Sequence, residues 1–344
     1  MMIEPVVLNF TLRVITPVLV LSGRELSFFE HFFDREKRRI LKVDFGLLIE
    51  RLKSRGELKR FISFLRNFRP EDISSLHAYY KENSPFFYEN GSPVAVAVDG
   101  SLSGRSVKEI VKNPLTGKPY IPGSSVKGAV RTAILEAVID PEGFTWQIEK
   151  VKRESGRSGA GFRLSKIFGE MERELLCRAG EDYGELFEKP WTKRDPFRFI
   201  KVSDFLPSGE VEWRVGLLER VSRNGIFRKN NSVSLEYVAR GTFKGKVFLY
   251  PDYLRGFLNC KVEVSGEKIL RELEKRGKAL VEKEKKLFSS IYASVHFPED
   301  GIPLKLGFGG GALSKTFLND GLRVVGNRKT GFRVIPLTLP VINS

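Results

Sequence analysis

The fold is indicated most clearly by one stretch, Lys118-Pro-Tyr-Ile-Pro-Gly-Ser-Ser-Val-Lys-Gly-Ala-Val-Arg131. Its two prolines fix φ and keep the residues before them extended, so the chain arrives at Gly123 in a set direction. Ser124 or Ser125 can then cap the start of a helix with a side-chain oxygen. Apolar residues follow at the spacing of one buried helical stripe: Val126, Ala129, Val130, Ala133, Ile134, Ala137 and Val138. The stretch therefore predicts an amphipathic helix that begins close to the two serines.

Two cations lie four residues apart in the first turns of this predicted helix. Lys127 and Arg131 share a face beside the positive end of the helix dipole. Such a helix end suits an anion, and a backbone phosphate is the interpretation we favour. An ordinary capped helix with solvated Lys and Arg side chains is the alternative, and such helices are common. The position of the other cations distinguishes the two.

The charge of the chain is strongly and unevenly positive. Lys and Arg number 58 against 42 Asp and Glu among 344 residues, a formal net charge of +16. An excess of this kind favours nucleic acid or an anionic surface as partner. Residues 213–246 hold eight cations and two acids, and residues 151–166 hold five cations and one acid among Gly and Ser. The second segment predicts a mobile basic loop.

Several classes of protein are disfavoured by what the sequence lacks. No run approaches the roughly 20 apolar residues of a membrane span, and no signal-peptide pattern is present. Cys177 and Cys260 form no paired motif, so we expect a cytoplasmic protein. The three histidines are scattered, and no P-loop, HExxH, GxSxG or paired-carboxylate signature occurs. We therefore expect no metal and no cofactor.

The periodicity along the chain predicts a mixture of strands and helices. Residues 6–14 alternate as a strand, and residues 21–24 read as a turn. Helices are predicted at about 44–68 and 268–287, the second weakened by Gly277. Further strands are predicted at 197–202, 211–218, 243–250 and 304–306. The irregular alternation favours an α+β fold over a doubly wound sheet.

A glycine cluster follows the last of these strands, at residues 307–311. It can be read as a dinucleotide-binding GxGxxA, but too little chain follows for the βαβ unit that such a site needs. Together with Lys315 and Thr316 the cluster can form a nest of N–H groups for phosphate. A tight turn between two strands explains it equally well.

The segment 236–250 combines cations with aromatic residues. In an extended chain Lys244, Lys246, Phe248 and Tyr250 share one face, which suits phosphate contact combined with base stacking. Alternatively, the two aromatic rings pack under a helix while the lysines are solvated. Arg240 precedes this strand and joins Lys244 and Lys246 as a candidate RNA contact.

These segments occur in an order that resembles the RAMP superfamily of CRISPR effector subunits, and most closely the fifth Csm subunit of type III-A complexes. The resemblance rests on these pieces: Thr16-Pro17 with Ser22-Gly23, residues 120–131, Asp195-Pro-Phe-Arg-Phe-Ile-Lys-Val-Ser-Asp204, Glu236 with Arg240-Gly-Thr-Phe, and residues 306–316. It implies a ferredoxin-like (RRM-like) core in two units, residues 1–197 with helical insertions and the basic loop, and 198–344 with the basic strand and the glycine-rich loop.

The resemblance also implies the partners and the site. The partners would be guide RNA (crRNA), other Csm subunits and host nucleases that act in guide maturation, with the subunit capping the filament near the 3′ part of the guide. By their match to the family's motifs, the following residues would contact RNA: Ser124, Ser125, Lys127, Arg131, Gly309, Gly310, Gly311, Lys315 and Thr316. Asp204 matches a family element, but we interpret it as a turn or helix cap, not as a catalytic acid.

Three functions follow from this sequence. The first is a non-catalytic RNA-binding subunit of a ribonucleoprotein. The second is an endoribonuclease that processes guide RNA, for which His31 beside Arg24, Arg35 and Lys37 is the candidate to test. A basic DNA-binding regulator is the third, and the absence of a helix-turn-helix or zinc motif disfavours it.

Overall fold

The computed structural model describes residues 4–89, 92–99, 106–138, 195–221, 227–251, 265–287, 289–292, 295, 297, 301–307 and 340–343. The helices are α1 (Phe45–Ser54), α2 (Leu58–Arg66), α3 (Ile73–Asn83), α4 (Gly123–Val138), α5 (Gly266–Leu287) and α6 (Ser289–Tyr292). The strands are β1 (Val6–Val14), β2 (Leu21–Leu26), β3 (His31–Asp34), β4 (Arg39–Lys42), β5 (Tyr88–Glu89), β6 (Ser92–Pro93), β7 (Ala95–Val98), β8 (Val107–Ile110), β9 (Ile200–Val202), β10 (Leu206–Pro207), β11 (Glu212–Val221), β12 (Phe227–Arg240), β13 (Thr242–Leu249), β14 (Ile302–Pro303) and β15 (Pro340–Asn343). The mixture confirms the predicted α+β class.

Sheet 1 is antiparallel, with β1 near its middle. β1 pairs with β13 on one side and with β15 on the other. The other edge of β13 pairs with β9 and β10, and the other edge of β15 pairs with β14. Elements β1, α4, β9, β13, α5 and β15 follow one another as βαββαβ, and their strands lie in the order β9-β13-β1-β15. This succession is that of a ferredoxin-like unit.

Helices α4 and α5 cover one face of sheet 1. Phe10 and Leu12 of β1 and Val247 of β13 are buried together with Val126 and Val130 of α4. The predicted apolar stripe therefore faces the core at Val126, Val130, Ala133 and Ile134, whereas Ala137 is exposed. The alternation predicted for β1 holds from Phe10 onward.

Sheet 2 is mixed, with strand order β2-β8-β12-β11-β7-β4-β3. The turn predicted at residues 21–24 is wrong, because these residues lie in β2, where the positive φ of Gly23 (85°) accompanies a register shift against β8. The sequence predicted a boundary between two units at residues 197 and 198. Sheet 1 and sheet 2 each contain strands from both sides of this boundary, so it does not separate the two sheets.

A helical insertion, α1 to α3, packs on the β3–β4 side of sheet 2 around Leu48, Leu52 and Tyr80. The single helix predicted for residues 44–68 is wrong, because it breaks after Ser54, where Gly56 has a φ of 72°. Asp44 caps α1 by accepting a hydrogen bond from the Leu47 N–H (3.1 Å).

Candidate nucleic-acid interface

A cleft of about 570 Å³ lies between the first half of α4, the middle of α5 and residues 303–307. One wall is polar and belongs to α4, whereas the opposite wall is largely apolar and belongs to α5 and the segment after β14. The lining residues are Val20, Leu21, Ser124, Ser125, Gly128, Ala129, Thr132, Leu273, Arg276, Gly277, Leu280, Pro303, Leu304, Lys305, Leu306 and Gly307. A cleft of this size and mixed lining is suited to part of an extended polymer or to one small molecule.

The start of α4 is held by a carboxylate from a distant segment. The helix begins at Gly123, whose N–H donates to Asp204 Oδ1 at 2.8 Å. A Cβ at Gly123 would lie 2.4 Å from the carbonyl oxygen of Val202, so this approach requires glycine. The prediction of a serine cap is wrong, because both serines lie inside the first turn. The interpretation of Asp204 as a helix cap is confirmed.

Because Asp204 takes the first amide, the two serines are available at the cleft. Ser124 is exposed and Ser125 is half-buried, and Gly128 and Thr132 continue the same wall along the next turns. Hydroxyls and small residues on this wall let another backbone approach α4 closely.

The opposite wall is built from two close backbone contacts. A Cβ on Gly277 would lie 2.0 Å from the Pro303 carbonyl oxygen, and a Cβ on Gly307 would lie 2.1 Å from the Leu19 carbonyl oxygen. Gly307 also has a φ of 90°. The strand expected at residues 304–306 is wrong, because the strand ends at Pro303 and Leu304 enters the core outside a sheet.

Buried ion pairs lock this wall in place. Lys305 donates to the carboxylate of Glu284 on α5, and the Tyr292 hydroxyl donates to the same carboxylate. Burial lowers the pKa of Lys305, opposed by the attraction of Glu284, and burial raises the pKa of Tyr292. Eight residues earlier on α5, Arg276 pairs with Glu136 of α4, and burial lowers the pKa of Arg276 to about 10.

The two predicted phosphate-binding cations lie beside Asp195 and are not among the residues that line the cleft. Arg131 Nη1 lies 2.6 Å from Asp195 Oδ2, and its guanidinium lies 4.7 Å from the centre of the Phe197 ring. Burial lowers the pKa of Lys127, opposed by Asp195 and reinforced by Arg131. Contact of Lys127 and Arg131 with RNA stays a prediction. The structure shows that Arg131 forms an ion pair with Asp195.

The basic strand β13 belongs to sheet 1, and its lysines lie on the face opposite α4 and α5. Phe243, Val247 and Leu249 of β13 are buried toward the helices, and Lys244 and Lys246 are exposed on the opposite face. Phe248 and Tyr250 share that opposite face and are half-buried, so the alternative in which they pack under a helix is wrong for α4 and α5. Arg240 ends β12 in sheet 2, 4.0 Å from Glu212 Oε2.

Two groups of predicted residues lie outside the described part of the chain. They are the basic loop of residues 151–166 and the glycine-rich positions Gly309, Gly310, Gly311, Lys315 and Thr316. Gly307, the first residue of the glycine cluster, forms part of the cleft and pairs with Leu19.

His31, the candidate for the nuclease hypothesis, is 7% exposed. Its Nδ1 donates to the Ser27 carbonyl oxygen at 2.7 Å, and burial lowers its pKa. In the described ranges no three His, Cys, Asp or Glu residues form a group that could hold a metal ion. Within the same ranges, no helix has the length and hydropathy needed to cross a bilayer.

Sequence reasoning did not predict that two carboxylates of sheet 2, Glu236 and Glu109, are buried. Glu236 accepts hydrogen bonds from the Ile110 N–H (3.2 Å) and from Lys112 Nζ (2.7 Å). Glu109 pairs with Lys42 and with Arg24 Nε (3.2 Å). Period-two patterning does not reveal them, since charged residues in strands are normally solvated.

Comparison with known proteins gives consistent matches. The model of the family described as "RAMP superfamily" matches residues 11–314. A Streptococcus thermophilus protein described as "CRISPR system Cms protein Csm5" is 22% identical over 330 residues, covering 90% of this chain and 79% of that protein. A Methanocaldococcus jannaschii protein with the same description is 26% identical over 216 residues, covering 57% of this chain and 46% of that protein.

Two solved structures share the fold. A chain in "Cryo-EM structure of Csm-crRNA-target RNA ternary complex in type III-A CRISPR-Cas system" aligns with a TM-score of 0.59 at 20% identity, covering 97% of each chain. A chain in "Crystal structure of T.onnurineus Csm5" aligns with a TM-score of 0.54 at 20% identity, covering 87% of this chain and 90% of that one.

Proposed function

Because this chain belongs to the RAMP superfamily, we propose that it is the Csm5-like, non-catalytic guide-RNA-binding subunit of a type III-A CRISPR effector complex. The similarity to two proteins described as Csm5 supports the choice of subunit. In this proposal the partners are crRNA, other Csm subunits and the host nucleases that mature the guide. The subunit caps the filament near the 3′ part of the crRNA.

The observation that carries the proposal is that the two predicted RNA-binding serines of α4 and Gly307, the first residue of the glycine cluster, line one cleft. Ser124 and Ser125 lie on one wall, and Gly307 leads from the other wall into the glycine-rich segment. These segments are 182 or more residues apart in the sequence, and the ion pairs of Arg276 and Lys305 hold their supports together. RNA running along this cleft would meet the hydroxyls of the α4 wall, and hydroxyls are groups that contact phosphate and sugar.

The non-catalytic assignment is supported by the position of His31. A metal-independent RNA-cleaving enzyme needs a general base within reach of the 2′-hydroxyl. His31 is enclosed by the helical insertion and sheet 2, and its Nδ1 is already bonded to Ser27. Other RAMP subunits of type III complexes remain the alternative, and reconstitution with partner subunits distinguishes them.

Gly128 offers a matched pair of variants that tests the cleft. A Cβ at this position meets nothing within 4 Å, so side chains can be added without displacing a neighbour. Gly128→Asp places a negative charge on the cleft wall, and we expect it to weaken the binding of fluorescein-labelled polyuridine about tenfold, equivalent to about 1.4 kcal/mol. Gly128→Ala adds no charge and should leave the affinity within about twofold of the parent.

The binding is measured by fluorescence anisotropy on the purified full chain, and then by co-purification of crRNA with the assembled complex. Equal affinity of the two variants in both measurements would show that RNA does not bind along the cleft. Failure of the parent chain to retain crRNA in the assembled complex would contradict the proposed function itself.

A further inference from the structure

One face of sheet 1 is left uncovered by α4 and α5. Its outward side chains come from three strands and form what we call the open face: Asn9 and Arg13 of β1, Lys201 of β9, and Lys244, Lys246 and Phe248 of β13. All are exposed except Phe248, which is half-buried. The open face lies on the opposite side of the sheet from the cleft.

The strand register places the aromatic ring between apolar and cationic neighbours. Phe248 is paired with Val7 of β1 on one side and with Lys201 of β9 on the other. Val7 is 42% exposed, so an apolar surface continues beside the ring. Lys201 Nζ also lies 5.4 Å from the centre of the Tyr250 ring. Aromatic rings on an exposed sheet, flanked by cations, form a platform on which bases can stack.

The two lysines extend this platform along the strand. Lys246 is paired with Asn9, and Lys244 is paired with Thr11 on one side and with Leu206 on the other. Leu206 is 51% exposed, which gives a second apolar position beside Lys244, four residues along β13 from Phe248. Cations therefore alternate with apolar side chains across the open face.

The charge of the open face selects between an RNA and a protein partner. The strands β1, β9, β10 and β13 contain four cations and no Asp or Glu. Protein–protein interfaces are depleted in lysine, whereas a groove for single-stranded nucleic acid combines cations with stacking rings. The observations favour a flexible polyanion with exposed bases.

We propose that the open face is a second binding surface for single-stranded RNA, separate from the cleft. The inference extends the proposed function, since it adds a surface that the cleft cannot provide. An RNA molecule that contacts both the cleft and the open face must pass around an edge of sheet 1. The lysines contact phosphates, and Phe248 stacks on a base.

The test separates charge from stacking. Removal of two phosphate contacts in Lys244→Ala plus Lys246→Ala should weaken the binding of fluorescein-labelled polyuridine and reduce the slope of log K against log[salt] by about 1.4, at about 0.7 per contact on a single strand. Phe248→Leu keeps an apolar side chain but removes the ring, so it should weaken binding at least fivefold with an unchanged salt slope. Melting temperatures check that each variant is folded.

The matched control is Lys59→Ala plus Arg66→Ala, which removes two exposed cations from α2. A control that lowers the salt slope as much as the double lysine variant would overturn the inference, because the effect would then be one of net charge. Unchanged RNA binding by the open-face variants would also overturn the inference. This includes the case in which the variants bind RNA normally but no longer bind partner subunits.

A crosslinking experiment tests the open face and the cleft separately, so the failure of one proposal can be told from the failure of the other. Polyuridine that contains 4-thiouridine should crosslink to peptides of β13 as well as to peptides of α4. Crosslinks to α4 without any to β13 would overturn the second surface and leave the cleft. Absence of crosslinks to both would contradict both proposals.

Discussion

Gly277 lies in the middle of α5 at the point where β14 crosses the helix, and we predict that Gly277→Ala destabilises the protein. In a solvated helix this change would stabilise by about 0.8–1.0 kcal/mol, because alanine is the better helix former. Here the new Cβ would lie 2.0 Å from the Pro303 carbonyl oxygen, whereas contacts under 3.0 Å are essentially never found, so the strand must move by about 1 Å. Overpacking of this kind costs about 1–3 kcal/mol, and a backbone partner places the cost at the upper end.

The expected net loss is therefore about 2 kcal/mol in the free energy of unfolding. Gly128→Ala in α4 is the matched control, because it has no neighbour within 4 Å and should gain the full helix-propensity term. The two variants should differ by about 3 kcal/mol and shift the urea midpoint in opposite directions. Equal midpoints, or a Gly277→Ala protein more stable than the parent, would show that β14 does not need the close approach.

Three further predictions concern the cap of α4, the buried pair of Lys305 with Glu284, and His77. Asp204→Ala leaves the Gly123 N–H without its carboxylate and should cost about 1 kcal/mol in thermal or urea unfolding, whereas unchanged stability would contradict its role as a cap. Lys305→Met leaves Glu284 buried and should cost about 3–5 kcal/mol, while the double variant with Glu284→Leu should recover most of it; additive losses in this double-mutant cycle would contradict the coupling. Burial holds the pKa of His77 below its ordinary value, so the unfolded state binds more protons and the free energy of unfolding should fall as the pH drops below about 6.5. His77→Phe, which removes a buried Nε2 without a hydrogen-bond partner, should reduce this fall, and an unchanged pH profile would show that His77 is not its source.

The parts of the fold that local pattern determines could be predicted from the sequence. The period of apolar residues placed α4 in the core by Val126 and Val130, and strict alternation separated Val247 from Lys246 on β13. In these elements each side chain's environment depends on its own position within a regular period. The order of motifs then indicated the superfamily.

What could not be predicted depends on contacts between distant segments. The cap of α4 comes from Asp204, which is 81 residues from Gly123. Gly277 was expected to weaken α5, and its actual role is visible only when Pro303 is placed against it. The cleft itself joins α4, α5 and residues 303–307, and no local period contains that information.

The pairing of β1 has a consequence for how the protein is made. Residues 6–14 leave the ribosome before their partners, because residues 242–249 and 340–343 are synthesised more than 200 residues later in the chain. At about 5–20 residues per second, the delay before both edges of β1 are paired is on the order of tens of seconds. During that time an apolar strand with unpaired backbone groups is open to pairing with other nascent chains. We therefore expect chaperones that shield the unpaired strand to raise the yield of folded protein more than any change in the cleft would.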